Sequence, residues 1–246
     1  MNNYRLKIQY DGTRYHGWQR QREGGDTIQG RIENVLSKMV GSPVEIDGAG
    51  RTDAGVHAKC QVANVHLQET WSTDVIKENL NAYLPEDIRI LEVEKAGERF
   101  HSRLNAIGKV YEYHLLKLGE YDVFARKYSW QMEQALDVDK MRKAAALLLG
   151  SHDFKGFCTK ASKKKSTVRR IDSIEIRETK QDVFLRFEGN GFLYNMVRIL
   201  TGTLVEIGAG LRSVESVQEI LEKGERKLAG ETAPAQGLTL LEVKYD

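Results

Sequence analysis

The sequence predicts an α+β fold in which two related α/β subdomains surround a central, mainly antiparallel sheet. Strand-like and helix-like segments recur in a similar order in both halves of the 246-residue chain. The strands do not alternate strictly with helices, which disfavours a doubly wound parallel sheet. Hydrophobic residues make up 41% of the chain and charged residues 29%, values typical of a globular protein.

The first predicted subdomain spans residues 1–105 and contains strands and helices in alternating groups. Strands are predicted where apolar and polar residues alternate with a period of two or where a short apolar pattern occurs. These segments are residues 4–10, 61–67 and 88–93. Apolar residues at intervals of three and four, or a capped polar stretch, predict helices, over residues 28–40 and 73–82. Gly41 and Pro85 follow these helices and are expected to end them.

The second predicted subdomain spans residues 106–246. The same patterns predict strands, over residues 109–118, 170–177, 183–187 and 238–245, and helices, over residues 137–149, 193–207 and 213–224. Asp137 and Ser213 are expected to cap two of these helices. Because the chain has only three prolines and lacks a Ser/Gly linker, the halves are expected to pack tightly around a binding cleft.

Composition excludes several classes of protein. The longest uninterrupted apolar run, Ala144–Leu149, is too short to cross a bilayer, so no membrane partner is expected. Two cysteines exclude a disulfide scaffold and are typical of a reducing cytoplasm. His57 and Cys60 form only half of a zinc site, which favours a structural His57 and no metal. The sequence also lacks a dinucleotide fingerprint, a Walker loop and a serine-hydrolase elbow.

Positive charge is concentrated, although the net charge is only +2. Residues 155–170 contain seven basic side chains and no acidic one, and among them are Lys163, Lys164, Lys165 and Arg169. Such a segment is either an arm that binds RNA phosphates or a solvated loop.

A second basic segment lies near the N-terminus. Residues 14–22 combine Arg14, Arg20 and Arg22 with the aromatic side chains of Tyr15 and Trp18. This mixture suits phosphate contact and stacking on unpaired bases. An ordinary loop whose aromatic rings anchor the core would have the same composition.

The most informative segment is the glycine-rich stretch over residues 48–58. Its glycines allow the backbone to approach a ligand closely, and it carries Arg51 and Asp53 two residues apart. In extended backbone these side chains point to the same side, and an adjacent guanidinium keeps a carboxylate ionised. An ionised, oriented carboxylate is suited to act as a nucleophile or a general base. The alternative is a surface turn with a capping aspartate.

Two further features stand out in the second half. Tyr111 and Tyr113 lie on one face of a predicted strand, where they are either core residues or stacking surfaces. Arg198 is the odd charge on a largely apolar predicted helix, so it must face a partner, a cleft or water.

Residues 50–58, GRTDAGVHA, closely resemble the catalytic loop of the tRNA pseudouridine synthase A family. Other segments resemble further motifs of that family, so that the likeness runs nearly end to end; they are residues 10–12, 15–21, 81–85, 100–103, 109–113, 190–198 and 235–238. Minor departures are Asn195, where many relatives have histidine, and Ser102, where alanine is common.

The resemblance implies a cytoplasmic homodimer with the pseudouridine synthase fold and a basic RNA-binding cleft. It implies that the enzyme converts uridine to pseudouridine at positions 38, 39 and 40 of the tRNA anticodon stem-loop, without metal or cofactor. Asp53 would be the catalytic aspartate, and Arg51 would pair with it and assist base flipping. Tyr111 would stack on the target base, and Arg198 would form an ion pair with the aspartate and contribute to substrate binding.

Two other classes of function remain open from the residues alone. A non-catalytic RNA-binding module would keep the basic and aromatic segments but would have no use for an Arg51–Asp53 pair. A metal-dependent nuclease or deaminase would need clustered ligands, which the sequence lacks.

Overall fold

The computed structural model describes residues 1–21, 24–159 and 166–246. By contacts within the chain it divides into two compact units. The first comprises Met1–Ile107 together with Thr239–Asp246, and the second comprises Gly108–Leu238. Predicted residues Arg22 and Lys163 to Lys165 lie outside the described residues.

The first unit is built on a mainly antiparallel sheet. Its strands are β1 (Asn2–Tyr10), β2 (Ile46–Gly48), β3 (His57–Leu67), β4 (Ile88–Ala96) and β10 (Leu238–Lys244). They are ordered β4-β1-β3-β10, with β2 also paired to β3. Strand β1 is antiparallel to β3 and β4, whereas β10 runs parallel to β3 where Thr239 pairs with His57.

Helices α1 (Ile28–Val40) and α2 (Thr73–Tyr83) complete the first unit. Helix α1 begins where the Thr27 side chain accepts a hydrogen bond from the Gly30 amide. It ends at Gly41, whose φ of 74° is left-handed, as glycine readily allows. The alternating side chains of Tyr4, Leu6 and Ile8 on β1 are fully buried.

The strands of the second unit also pair mainly antiparallel. Its strands are β5 (Gly108–Leu116), β6 (Trp130–Gln131), β7 (Gly150–Asp153), β8 (Val168–Glu178) and β9 (Asp182–Gly189). They are ordered β5-β9-β8-β7, and the short β6 lies parallel to β5.

The helices of the second unit are α3 (Val138–Ala146), α4 (Met196–Gly208) and α5 (Ser216–Lys223). Asp137 caps α3 as predicted, because its side chain accepts a hydrogen bond from the Lys140 amide. Helix α4 is buried along almost its whole length. No helix in the described part of the chain is long and apolar enough to cross a membrane.

The predicted α+β class and the mainly antiparallel pairing are confirmed. Each predicted helix and strand is present, although β3 begins earlier than expected and therefore includes His57. Ser213 as the cap of the last helix is wrong: α5 begins at Ser216, and the Ser213 carbonyl accepts hydrogen bonds from the amide and hydroxyl of Ser216. These bonds form a separate turn before the helix.

Candidate active site and RNA-binding residues

The loop that carries Asp53 connects β2 to β3. Its start is fixed by two hydrogen bonds, from the Ala49 amide to the Val62 carbonyl at 2.7 Å and from Gln61 Nε2 to the Gly50 carbonyl at 3.0 Å. A turn then follows, in which the Val56 amide donates to the Asp53 carbonyl at 3.2 Å. Asp53 is half-buried at the beginning of this turn.

The N-terminal motif braces this loop from one side. The Trp18 amide donates to the Thr52 carbonyl at 3.1 Å, and the hydroxyls of Tyr10 and Thr52 lie 2.8 Å apart. Burial raises the pKa of Tyr10 to about 12, so its phenol stays neutral at physiological pH. Thr52, which directly precedes Asp53, is thus held by two residues more than thirty positions away in the sequence.

Two glycines make this close approach possible. A Cβ atom at Gly12 would lie 2.0 Å from the Val56 carbonyl oxygen, so no side chain fits there. At Gly17 the φ is 90°, and a Cβ atom would lie 2.7 Å from the Thr52 carbonyl oxygen. This contact explains why the motifs over residues 10–21 and 50–58 occur together in one sequence.

Arg51 is exposed, and its Nε donates a hydrogen bond to Gln19 Oε1 at 3.0 Å. Gln19 in turn donates to Gln29 Oε1 at 2.6 Å, and Gln29 donates to Glu33 Oε1 at 2.8 Å. A chain of side chains anchored on α1 therefore positions the guanidinium. Pairing of Arg51 with Asp53 stays a prediction.

His57 is a buried residue that joins the two motifs. Its Nδ1 accepts a hydrogen bond from the Gly12 amide at 3.0 Å, and Asp11 Oδ1 lies 3.1 Å from the same nitrogen. This is the structural role predicted for His57. Burial raises the pKa of the Cys60 thiol, which keeps it protonated at neutral pH. The described residues hold no cluster of three or more histidine, cysteine or acidic side chains suited to bind a metal.

Tyr111 lies on β5 in the second unit, opposite Phe187 of β9. Only 8% of it is exposed. Its ring meets the ring of Phe192 edge-on, with the centroids 5.4 Å apart. The preceding Gly191 has a φ of 155°, in the range that favours glycine. Phe192 belongs to the segment over residues 190–198 that resembles a family motif. Its contact with Tyr111 is not predictable from the sequence spacing of the two residues.

Tyr113 is the core residue of the tyrosine pair. It is fully buried, its hydroxyl donates to the Pro234 carbonyl at 2.6 Å, and burial raises its pKa. A Cβ atom on Gly237 would lie 2.6 Å from the Tyr113 ring, so the segment over residues 235–238 packs directly on this tyrosine.

Arg198 is held on the first turn of α4. Its Nε donates to the Ala233 carbonyl at 2.7 Å, and its Nη1 donates to Asn195 Oδ1 at 3.2 Å. Asn195 has a left-handed φ of 61°, a conformation that asparagine tolerates better than most residues. The partly buried guanidinium is thus oriented by hydrogen bonds from two of its nitrogens.

The other predicted RNA-binding residues that the structure describes, Arg14, Arg20 and Arg169, have protein partners. Arg14 Nε lies 2.5 Å from Asp87 Oδ2, and its guanidinium lies over the Tyr15 ring. Arg20 forms ion pairs with Glu33 and Glu45, with nitrogen–oxygen distances of 3.1 and 2.7 Å. Arg169 donates to the carbonyls of Ser166 and Val168, at 3.0 and 2.6 Å. Tyr15 and Trp18 are both buried, which supports the core alternative for these two rings.

Comparison with known proteins identifies relatives along the whole chain. A family model described as tRNA pseudouridine synthase matches residues 7–105 and 144–246. A tRNA pseudouridine synthase A from Bacillus sp. (strain KSM-64) is 51% identical over 245 residues, covering 100% of both chains. The chain belongs to the tRNA pseudouridine synthase A family. A relative from Syntrophotalea carbinolica, with the same name, is 42% identical and covers 100% of this chain and 97% of its own.

Among solved structures, a chain in the crystal structure of a Cbf5-Nop10-Gar1 complex is 13% identical with a TM-score of 0.39. That match covers 96% of this synthase chain and 57% of the other. Membership of the tRNA pseudouridine synthase A family rests on the sequence relatives.

The sequence patterns did not identify Gln61 as a support of the loop around Asp53. Gln61 is fully buried on β3, where a period-two pattern would place an apolar side chain. A polar residue at a position predicted to be buried is the signal that could have identified it. Its bond to Gly50 satisfies the buried amide.

Proposed function

We propose that the protein converts uridine to pseudouridine at positions 38, 39 and 40 of the tRNA anticodon stem-loop. The observation that carries the proposal is the loop around Asp53, which is held by the N-terminal motif through Trp18, Gly12 and Gly17. Sequence identity of 42–51% with full-length tRNA pseudouridine synthases A supports the assignment.

The reaction is an isomerisation in which atoms and electrons balance. The bond between C1′ and N1 breaks, the uracil turns, and a bond forms between C1′ and C5. The proton leaves C5 and N1 regains one, so no oxidant, reductant or nucleotide energy source is consumed. Asp53 acts at the junction of sugar and base, as a nucleophile or as a base.

The target base must leave the stack before this chemistry, at a cost of a few kcal/mol. Stacking on the Tyr111 ring offsets about 1–3 kcal/mol of that cost. The edge-on contact with Phe192 holds the Tyr111 ring for this role. Arg51 pairs with Asp53 and assists base flipping, and Arg198 contributes to substrate binding and forms an ion pair with the aspartate.

The remaining proposed contacts bring the tRNA backbone to basic side chains. Arg14, Arg20 and Arg22 act from the N-terminal segment, and Lys163 to Lys165 with Arg169 act from the basic segment. The ion pairs of Arg14 and Arg20 leave each side chain about half exposed, so phosphates can still reach them. Phosphate contacts of this kind position the RNA without reading its sequence.

We propose that the enzyme is a cytoplasmic homodimer. An exposed apolar surface in the second unit, formed by Tyr121, Val123 and Phe124, supports the dimer. Acidic Asp122 and basic Arg126 lie in the same segment. A two-fold interface needs a surface complementary to itself, which apolar side chains with both signs of charge provide.

The experiment for the proposed activity uses Asp53→Asn and unmodified tRNA, with pseudouridine mapped at each position. The wild type is expected to form pseudouridine at positions 38, 39 and 40. The variant is expected to lose turnover while its tRNA affinity stays within a few fold, because binding is spread over many other residues. The control Asp74→Asn, at the exposed start of α2, should retain turnover.

Near-normal turnover by Asp53→Asn would contradict the catalytic assignment. Binding of tRNA by the wild type without any pseudouridine would instead support a non-catalytic RNA-binding module.

A further inference from the structure

A groove of about 430 Å³ lies between α1 and α2 in the first unit. Its apolar lining comes from Val35, Met39, Leu84 and Pro85. None of the residues that support the Asp53 loop lines it. It is therefore a separate surface feature, with enough apolar area to contact the face of a planar group.

The polar lining of the groove contains basic and amide side chains and no acidic one. Arg31, Lys38, Asn34 and Asn79 supply it. The Arg31 guanidinium donates hydrogen bonds of 2.5 and 2.6 Å to the two carboxylate oxygens of Asp26. Lys38 is exposed and makes no ion pair within the described part of the chain. A ligand that combines a negative charge with hydrogen-bond acceptors fits this lining.

Tyr83 stands at the end of α2 beside the groove with 73% of its surface exposed. The apolar faces of α1 and α2 that pack in the core are formed by other residues, such as Ile32 and Leu80, so Tyr83 is not part of the core. An exposed ring beside basic side chains is the usual platform for an unpaired nucleic-acid base.

The groove adjoins the segment that braces the catalytic loop. Close to Pro85, the Asp87 carbonyl accepts a hydrogen bond from the Asp11 amide at 3.0 Å, and its carboxylate pairs with Arg14. Near Arg31, the Asp26 carbonyl accepts a hydrogen bond from the His16 amide at 2.8 Å. Both ends of the groove therefore lead to the motif over residues 10–21.

We propose that this groove binds one unstacked nucleotide of the tRNA substrate other than the target uridine. The base stacks on Tyr83, and the phosphate lies beside Lys38 with Asn34 as a hydrogen-bond donor. The inference rests on the proposed function, since it takes tRNA as the substrate. It adds a contact that the catalytic loop does not supply.

The test measures dissociation constants for full-length unmodified tRNA over a salt series. Tyr83→Ala is expected to weaken binding about tenfold, and Tyr83→Phe is expected to bind within twofold of wild type, because the ring is kept. Lys38→Ala should reduce the slope of log K against log salt by about one. Asn34→Asp places a carboxylate in the groove and should weaken binding most at low salt.

The matched controls are Lys95→Ala on β4 and Val75→Ala on α2, both exposed and away from the groove lining. They should bind as wild type does. If every groove variant binds tRNA with the affinity of the wild type, the proposal is overturned. Equal loss in Tyr83→Phe and Tyr83→Ala would also overturn it, because stacking would then have no part. Failure of the proposed function has a different readout, because the wild type would then form no pseudouridine.

Discussion

At the scale of single residues, the second-unit tyrosines differ although they share a strand and a face. The hydroxyl of Tyr113 is bonded to the Pro234 carbonyl, and its ring is covered by Gly237. Tyr111 instead retains 8% exposure beside Phe192. Of the two rings, Tyr111 is therefore the one suited to meet a base.

Two substitutions of Tyr111 distinguish the contribution of its ring to tRNA binding from that of its hydroxyl. Tyr111→Phe should retain tRNA affinity within a few fold, because the stacking surface is unchanged. Tyr111→Ala should weaken affinity by about tenfold, the lower part of the range for a lost base–aromatic stack. Filter binding with unmodified tRNA would measure both. Wild-type affinity in Tyr111→Ala would mean that the ring does not stack on the RNA.

At the scale of elements, the junction between the N-terminal motif and the loop around Asp53 is made by backbone packed on backbone. Gly12→Ala should destabilise the protein by about 1–3 kcal/mol, because the new methyl group cannot coexist with the Val56 carbonyl. Displacement of Val56 should also lower turnover, since its amide closes the turn at Asp53. Denaturant unfolding and single-turnover assays would measure the two effects.

Gly97→Ala is the matched control, because a Cβ atom there meets nothing within 4 Å. It should have wild-type stability and turnover. A Gly12→Ala variant as stable and active as Gly97→Ala would show that the loop does not depend on this contact.

The basic segment gives a second prediction at the scale of elements. Replacing Lys163, Lys164 and Lys165 together by alanine should leave folding intact and weaken tRNA binding at low salt. The slope of log K against log salt should fall by about one to two units if one or two of these lysines contact phosphate. Different tRNAs should lose affinity equally, because phosphates carry no base information. Superimposable salt series for wild type and variant would mean that the segment is only solvated.

At the scale of the whole molecule, the proposed dimer depends on an apolar surface left exposed in the second unit. Tyr121 and Phe124 are 81% and 88% exposed, and contiguous apolar surface of this kind marks interaction sites. Val123→Ser together with Phe124→Ser should shift the protein from dimer to monomer in sedimentation equilibrium. Val75→Ser, at an exposed position on α2, should remain dimeric.

A double variant that stays dimeric would place the interface elsewhere. A monomeric wild type at micromolar concentration would contradict the homodimer itself.

The sequence by itself determined the type and order of the helices and strands, because the period of apolar residues and the caps are local features. Helix α1, from Ile28 to Val40, is an example: Thr27 and Gly41 limit it within the same short segment. The motif around Asp53 was equally visible, since its glycines and charged residues are contiguous.

Only the tertiary structure decided which residues meet across long sequence separations. It brings Gly12 and Gly17 against the Asp53 loop, bonds Arg51 to Gln19, and returns residues 239–246 to the first unit. Such contacts depend on the packing of elements distant in sequence, and no local periodicity encodes their partners. Short strands such as β2 and β6 escaped prediction for the same reason, because two or three residues cannot establish a period.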